Sequence, residues 1–294
     1  MQAARDVLTE INLDDLVNAF GWKDRPIPAG LLRRLFFKPA QTFAQQMVDF
    51  DASIALNGLA EAACQAERFY VRNVCVYNAE RLPNRPFLAL ANHPGVTDTL
   101  AVMAALERAD LKVIALNRPF LLSLPNLAQH LFFVTDDPNE RVALVRRVSS
   151  HLKNGGSVLT FPAGHTEPDP DIYSGAVEAL GSWTDSAGVF LRLAPETAIV
   201  PVCIRGVTWD KTAYHPLVRL RQAYYDQQLL ASALQLLSHI IFNSRPVTVR
   251  VQIGTPFTAK DLGSSEPRII HQALLSQMQQ LMENPPEGSG QNLL

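Results

Sequence analysis

From about residue 70 onward, the apolar positions of the chain fall into short runs of strand length. The runs are VRNVCVY, PFLALAN, LKVIAL, HLFFVT, SVLTFP, AIVPVCIRGV and VTVRVQIG. Stretches with apolar residues at helical spacing follow most of them, at about 98–109, 139–153, 174–192, 226–242 and 266–283. Apolar strands that alternate with helices predict an α/β fold, with a mostly parallel sheet covered by helices on both faces.

The first 68 residues lack this alternation and predict an N-terminal helical segment. Its residues 31–38 are apolar and basic, with Leu31, Leu32, Leu35, Phe36 and Phe37 beside Arg33, Arg34 and Lys38. Pro39 is expected to end or kink this helix. The segment either packs on the core as a helical hairpin or lies in a lipid interface. Both can hold at once if one face of the helix packs on the core and another face contacts lipid.

The last residues, NPPEGSGQNLL, are polar and rich in proline and glycine. Such a composition is typical of disorder. The predicted organisation is therefore a helical segment at 1–68 that packs on the core or associates with a membrane, an α/β domain at 69–284 and a disordered tail at 285–294.

Composition narrows the class of protein. Of the 294 residues, 47% are hydrophobic and 18% are charged, and the net charge is -2, so no global basic field points to nucleic acid. The 3 cysteines are widely spaced, which fits a reducing cytoplasm better than a disulfide framework. The start of the chain does not resemble a signal peptide, and a membrane-spanning stretch is not expected.

Polar clusters follow four of the predicted strands directly. They are NHPGVTD, NRPF, TDDPNER and AGHTEPDPD. Because the carboxyl ends of parallel strands meet at one edge of a sheet, these four loops are expected to open on the same edge.

The first cluster contains a histidine and an aspartate five residues apart, His93 and Asp98. Residues at that spacing do not share a helix face, so the two can meet only if His93 precedes the helix, as Pro94 and Gly95 allow. Asp98 would then hold one imidazole nitrogen and leave the other as a base. This spacing alone is weak evidence for a catalytic pair, since a structural histidine at a helix start gives the same pattern.

Several motifs in order resemble the glycerolipid acyltransferase family, which includes lysophosphatidic acid and glycerol-3-phosphate acyltransferases. Its Asn-His-x4-Asp motif is matched by Asn92, His93 and Asp98, and its Phe-Pro-x-Gly motif by Phe161, Pro162 and Gly164. A later Val-Pro-Val is matched by residues 200–202, and the matched part covers about 74–207.

The resemblance implies transfer of a fatty acyl group from acyl-CoA or an acyl carrier protein to a hydroxyl of a lysophosphatidic acid-like acceptor. His93 would be the general base and Asp98 its orienting carboxylate, with backbone N–H groups near Gly164 as donors to the oxyanion. No cofactor or metal is implied beyond the thioester co-substrate. The expected location is the cytoplasm, at the inner face of the membrane, in phospholipid biosynthesis.

Two regions depart from the family pattern. Ala163 and Thr166 stand where the family has a glutamate and an arginine, and residues 135–137 lack the arginine of its second motif. The family ties those groups to the acceptor's phosphate. Arg118 and Arg141 are candidates to replace the charge. The predicted substrate-binding residues are Asn92, Arg118, Arg141, Phe161, Pro162, Gly164, His165 and Glu167.

Two other functions remain open from the sequence. His93, Asp98, His165 and Glu167 are residue types that bind metals, so a metal-dependent hydrolase is one alternative. A non-catalytic lipid-binding protein on the same fold is the other, because fold does not determine function.

Overall fold

The computed structural model describes residues 2–294. All seven predicted strands are present, and an eighth lies at the C-terminus. The strands are β1 (Asn73–Tyr77), β2 (Phe87–Ala91), β3 (Lys112–Leu116), β4 (Leu131–Val134), β5 (Val158–Thr160), β6 (Ala198–Arg205), β7 (Thr248–Ile253) and β8 (Gln291–Asn292). They form one sheet in the order β4-β3-β5-β2-β6-β7-β1-β8.

Five strands in a row, β4, β3, β5, β2 and β6, pair in parallel. The direction reverses between β6 and β7, which are antiparallel, while β7 and β1 pair in parallel. The predicted mostly parallel α/β sheet is thus confirmed. The four polar loops after β2, β3, β4 and β5 leave the same edge, as their parallel pairing requires.

Thirteen α-helices are found in residues 2–294. They are α1 (Gln2–Ala19), α2 (Pro26–Asn57), α3 (Leu59–Glu67), α4 (Asp98–Leu106), α5 (Pro119–Leu122), α6 (Pro125–Ala128), α7 (Pro138–Lys153), α8 (Ala176–Ala179), α9 (Ser186–Leu193), α10 (Asp210–Ala213), α11 (Pro216–Arg219), α12 (Tyr224–Phe242) and α13 (Pro267–Glu283). Among these residues, none of the helices is long and apolar enough to cross a bilayer.

The central strands are buried on both faces because successive side chains point to opposite sides. In β2, Phe87 and Ala89 belong to the core under α2, α3 and α4. Leu88 and Leu90 belong to the second core, under α7, α9 and α13. This arrangement explains why β2 reads as a continuous apolar run rather than an alternating one.

The N-terminal segment is helical, but Pro39 does not end its helix. α2 continues through Pro39 to Asn57. A proline leaves the carbonyl four residues earlier without its helical partner, and that residue, Leu35, lies on the exposed side, where solvent can bond the carbonyl. Leu32 and Ala40, on either side of the proline, are both buried.

The predicted helix at 174–192 is wrong, since the chain forms α8, a 3-10 turn (Leu180–Ser182) and α9 instead. The interruption turns Trp183 into the interior, where it is 4% exposed and its indole N–H donates to Glu167.

The predicted disorder of the tail also needs correction. Gln291 and Asn292 pair antiparallel with β1, and the Leu293 N–H donates to the Val74 carbonyl at 3.0 Å. The unpaired edge of β1 offers backbone partners, and Leu293 and Leu294 pack against the core beside it.

Candidate active site

The site begins where β2 ends, at Asn92. This residue is fully buried, and its side-chain amide pairs with the backbone of β6 as a strand residue would. Nδ2 donates to the Ile204 carbonyl at 2.8 Å, and Oδ1 accepts from the Ile204 N–H at 2.7 Å. Both ends of the amide are occupied. Asn92, predicted to bind substrate, therefore attaches the next residue, His93, to β6.

His93 lies in the loop before α4, as the spacing predicted. Its Nδ1 is 2.7 Å from Oδ2 of Asp98, the first residue of that helix. The same oxygen accepts from the Gly95 N–H at 2.8 Å, and Oδ1 accepts from the Thr99 hydroxyl at 3.0 Å. Gly95 has a φ of 132°, in the region that favours glycine. Asp98 is 1% exposed, whereas the His93 side chain is 32% exposed.

Opposing effects act on the pKa of His93. Burial lowers it, but the charge of Asp98 and its hydrogen bond raise it, Glu167 adds to the rise, and the net direction is upward. Behind Asp98 lies a further carboxyl group, Glu67 of α3. Burial, followed by the charge of Asp98, raises the pKa of Glu67 well above its usual range.

The loop after β5 closes over the histidine. The Phe161 ring lies with its centroid 4.7 Å from that of the imidazole. The carboxylate of Glu167, 1% exposed, accepts from the His93 N–H at 2.9 Å and from the Trp183 indole N–H at 2.7 Å. Burial raises the pKa of Glu167 to about 7, against these two hydrogen bonds. Glu167, predicted to bind substrate, instead holds the backbone of His93.

Asp169 fixes the far end of the same loop. Its buried carboxylate accepts from the backbone N–H groups of Asp171, Gly206, Val207 and Thr208 at 2.7–3.0 Å. A carboxylate that accepts several backbone N–H bonds is strongly held. The loops that follow β5 and β6 are therefore tied to each other beside the His93 loop.

His93 faces a cavity of about 240 Å³. Two walls come from its own loop and from Thr166. The third wall is α12, which contributes Tyr225, Gln228, Leu229 and Ser232. Sequence reasoning missed these helix residues as parts of a site; the signal present was only the apolar face of the helix.

An apolar cavity of about 200 Å³ adjoins the first one and shares Val96, Leu229 and Ser232 with it. It lies between α1, α2 and α12. Its apolar lining residues include Leu16, Ala19, Phe36, Pro39, Ala40, Phe43, Ala233, Leu236, Leu237 and Ile240. The apolar stripe of α12 thus faces this cavity and the N-terminal helices.

The other predicted residues of the β5 loop do not line the His93 cavity. Pro162 is buried, and its carbonyl accepts from the Thr184 N–H at 3.2 Å. The Gly164 N–H, a predicted oxyanion donor, closes a turn on the Phe161 carbonyl at 3.0 Å, so it is already used. His165 is exposed, and its Nδ1 lies 2.8 Å from the Ala163 carbonyl oxygen.

The two predicted arginines differ in position. Arg118 is exposed at the start of α5, near enough for its charge to act on His93 and on Asp15 of α1. Arg141 is bound within its own loop, with Nε donating to the Thr135 carbonyl at 3.0 Å and Nη2 3.5 Å from Asp136. Of the pair, only Arg118 therefore lies near enough for its charge to act on His93.

The four residues of the metal-hydrolase alternative are not assembled as a ligand set. His165 points into its own loop, and Glu167 is occupied by two N–H donors. Across residues 2–294, no three His, Cys, Asp or Glu side chains converge in an arrangement that could hold a metal ion.

Comparison with known proteins identifies the segment that contains this site. The model of the family described as Acyltransferase matches residues 73–205. No curated protein matches the chain. Among solved structures, the chain is similar to the 1-acyl-sn-glycerophosphate (LPA) acyltransferase PlsC from Thermotoga maritima, with 16% identity, a TM-score of 0.48, and coverage of 95% of this chain and 96% of that chain. Residues 73–205, the part of the chain that matches the acyltransferase family model, contain both His93 and Asp98.

Proposed function

We propose that the protein transfers a fatty acyl group from a thioester donor, acyl-CoA or an acyl carrier protein, to a hydroxyl of a glycerolipid-type acceptor. The observation that carries the proposal is the 2.7 Å contact between His93 Nδ1 and Asp98 Oδ2. It leaves Nε2 of a partly exposed imidazole as the base at a cavity. A neutral alcohol is a poor nucleophile at pH 7, and a positioned base overcomes this.

In the proposed reaction, His93 Nε2 takes the proton of the acceptor hydroxyl as its oxygen attacks the thioester carbonyl carbon. Asp98 stabilises the imidazolium that forms. The tetrahedral intermediate then expels the thiolate as the C–S bond breaks, and the imidazolium returns the proton to sulfur. The products are an ester and a free thiol, and no acyl-enzyme is needed.

The apolar cavity beside the His93 pocket supports a fatty acyl chain as the transferred group. Its wall of leucine, phenylalanine, alanine and isoleucine side chains suits a methylene chain, whose burial contributes about 0.8 kcal/mol per CH₂. We assign Arg118, at the rim, to the anionic part of a substrate. Arg141 has no such role in this proposal because its guanidinium is bound in its own loop.

Peripheral attachment to the cytoplasmic face of a membrane is part of the proposal, since a lipid acceptor resides there. One face of α2 supports it: Ile27, Leu31 and Leu35 are one turn apart and 86%, 69% and 68% exposed. Arg34 and Lys38 are exposed beside them, and such a face suits an anionic lipid interface. Phe36, by contrast, lines the apolar cavity, so the two aromatic residues 36 and 37 serve different surfaces.

The test is an assay of acyl transfer by the purified chain with long-chain acyl-CoA as donor. The reaction is measured by release of the free thiol and by mass spectrometry of the lipid product. His93→Ala should lower turnover by ~10²–10⁴-fold at unchanged thermal stability. His165→Ala should leave turnover unchanged, whereas a hydrolase using His165 as a ligand would lose activity. Near-normal turnover of His93→Ala contradicts the proposal, and lipid binding without turnover in the wild type supports the non-catalytic alternative.

A further inference from the structure

The polar side chains that line the His93 cavity are mostly neutral hydrogen-bonding groups. Beyond the His93–Asp98 pair they comprise three hydroxyls, a phenol and an amide, belonging to Thr99, Thr166, Ser232, Tyr225 and Gln228. Hydroxyls and amides both donate and accept hydrogen bonds, which suits an alcohol that does the same. Gln228 is buried and Tyr225 is half-exposed, so the two cover different depths of the pocket.

The acidic groups that contact His93 are two carboxyl groups. Asp98 contacts Nδ1, and Glu167 contacts the backbone N–H of the same residue. Both carboxyl groups raise the pKa of His93, as negative charges do. An anion placed in the cavity would meet that field at short range in a partly desolvated site, where repulsion between like charges is least screened.

Cations near this edge of the sheet lie at its rim. Arg118 is exposed and outside the cavity lining, and the carboxylate of Asp15 shares its field. Arg141 is bound to Thr135 and Asp136 in the loop after the edge strand β4. The charge pattern therefore places anionic substrate groups at the rim and uncharged ones beside His93.

We infer that the acceptor presents an uncharged headgroup to the His93 pocket, a nonionic lipid alcohol with neighbouring hydroxyls such as a monoacylglycerol, rather than a phosphate monoester. The inference rests on the proposed acyl transfer and narrows its acceptor class. The hydroxyl nearest Nε2 reacts, and its neighbours bond to the amide of Gln228 and the phenol of Tyr225. The phosphates of an acyl-CoA donor stay at the rim with Arg118.

The experiment compares two acceptors with the same acyl chain, monoacylglycerol and lysophosphatidic acid, in vesicles of zwitterionic phosphatidylcholine with palmitoyl-CoA as donor. We expect kcat/KM for monoacylglycerol to exceed that for lysophosphatidic acid by about tenfold or more. A preference for lysophosphatidic acid would overturn the headgroup inference and leave the proposed function intact. Transfer to neither acceptor, with no ester product formed, would contradict the proposed function itself.

A charge-adding variant tests the position of the headgroup. Tyr225→Lys places a cation in the lining at a half-exposed position where folding is little affected, and Gln222→Lys adds the same charge outside the pocket. Tyr225→Lys should move the acceptor ratio toward lysophosphatidic acid by about tenfold, less at high salt. A shift no larger than that of Gln222→Lys would show that the headgroup does not lie in this pocket.

Discussion

Glu167 and His93 are joined through their backbones as well as through a side chain. The Glu167 carboxylate accepts from the His93 N–H at 2.9 Å, and the Glu167 N–H donates to the His93 carbonyl at 2.7 Å. The loop after β5 is thus paired with the loop after β2 at the histidine itself. Since Asn92 attaches the adjacent position to β6, three neighbouring strands fix the backbone from which the imidazole projects.

Glu167→Gln tests this connection. An amide has one acceptor oxygen, so either the His93 or the Trp183 N–H would face an NH₂ group. We expect the free energy of unfolding to fall by ~1–3 kcal/mol. Because the charge of Glu167 raises the pKa of His93, the acid limb of the kcat/KM profile should move to lower pH. Glu178→Gln, at an exposed position of α8, is the control, and an unmoved limb with unchanged stability would contradict the role.

The pH dependence of the wild type follows from the same residue. In the proposed reaction His93 must be neutral, and its pKa is raised, so kcat/KM should be lost as pH falls through a midpoint above about 6.5.

Asp98→Asn removes the charge and, by donating to Nδ1, favours the tautomer that has no free Nε2 lone pair. Turnover should drop by ~10²–10⁴-fold. Asp185→Asn, at an exposed site, should change neither the turnover nor the midpoint of the pH profile. If the Asp98→Asn enzyme were active, Asp98 would be only a residue at the start of a helix.

Filling the apolar cavity should shorten the preferred acyl chain. Ala40→Phe adds a ring to the wall contributed by α2. We expect the ratio of palmitoyl to decanoyl transfer to fall by about tenfold or more, since each methylene excluded from the apolar cavity forfeits about 0.8 kcal/mol. Ala55→Phe, exposed on the same helix, is the matched control. Thermal unfolding of both variants separates lost selectivity from lost fold. An unchanged ratio in a folded Ala40→Phe enzyme would place the chain elsewhere.

Membrane attachment should depend on the exposed face of α2. The double variant Leu31→Ser, Leu35→Ser should weaken sedimentation with anionic vesicles by about tenfold or more, because each leucine contributes on the order of 1 kcal/mol or more when buried in lipid. Leu56→Ser with Leu193→Ser, exposed elsewhere, should bind as the wild type does. Equal binding of the two double variants would assign attachment to another surface.

The sequence was sufficient to predict the strands and to predict that the loops after β2 and β5 meet. Apolar runs of strand length can be read from a single sequence, and a parallel arrangement then brings the carboxyl ends of the strands to one edge. The pairing of His93 with Asp98 follows from local geometry, because Pro94 and Gly95 keep the chain irregular until α4 begins at Asp98.

The roles of Asn92 and Glu167 were not accessible in the same way. Each is held by groups distant in sequence, Ile204 in one case and Trp183 in the other, and those partners are known only once the chain has folded. The α12 wall was missed for a related reason. Helical periodicity predicts that a face is buried, but it does not say whether that face meets a core or a cavity.

The three residues common to both cavities have a consequence for kinetics. Val96, Leu229 and Ser232 border the space assigned to the fatty chain and the space assigned to the alcohol. An acyl chain that displaces Leu229 on one side would change the room left on the other. Under the proposed assignment, chain length and alcohol size are therefore coupled variables, and the selectivity measured for either one should change with the choice of its co-substrate.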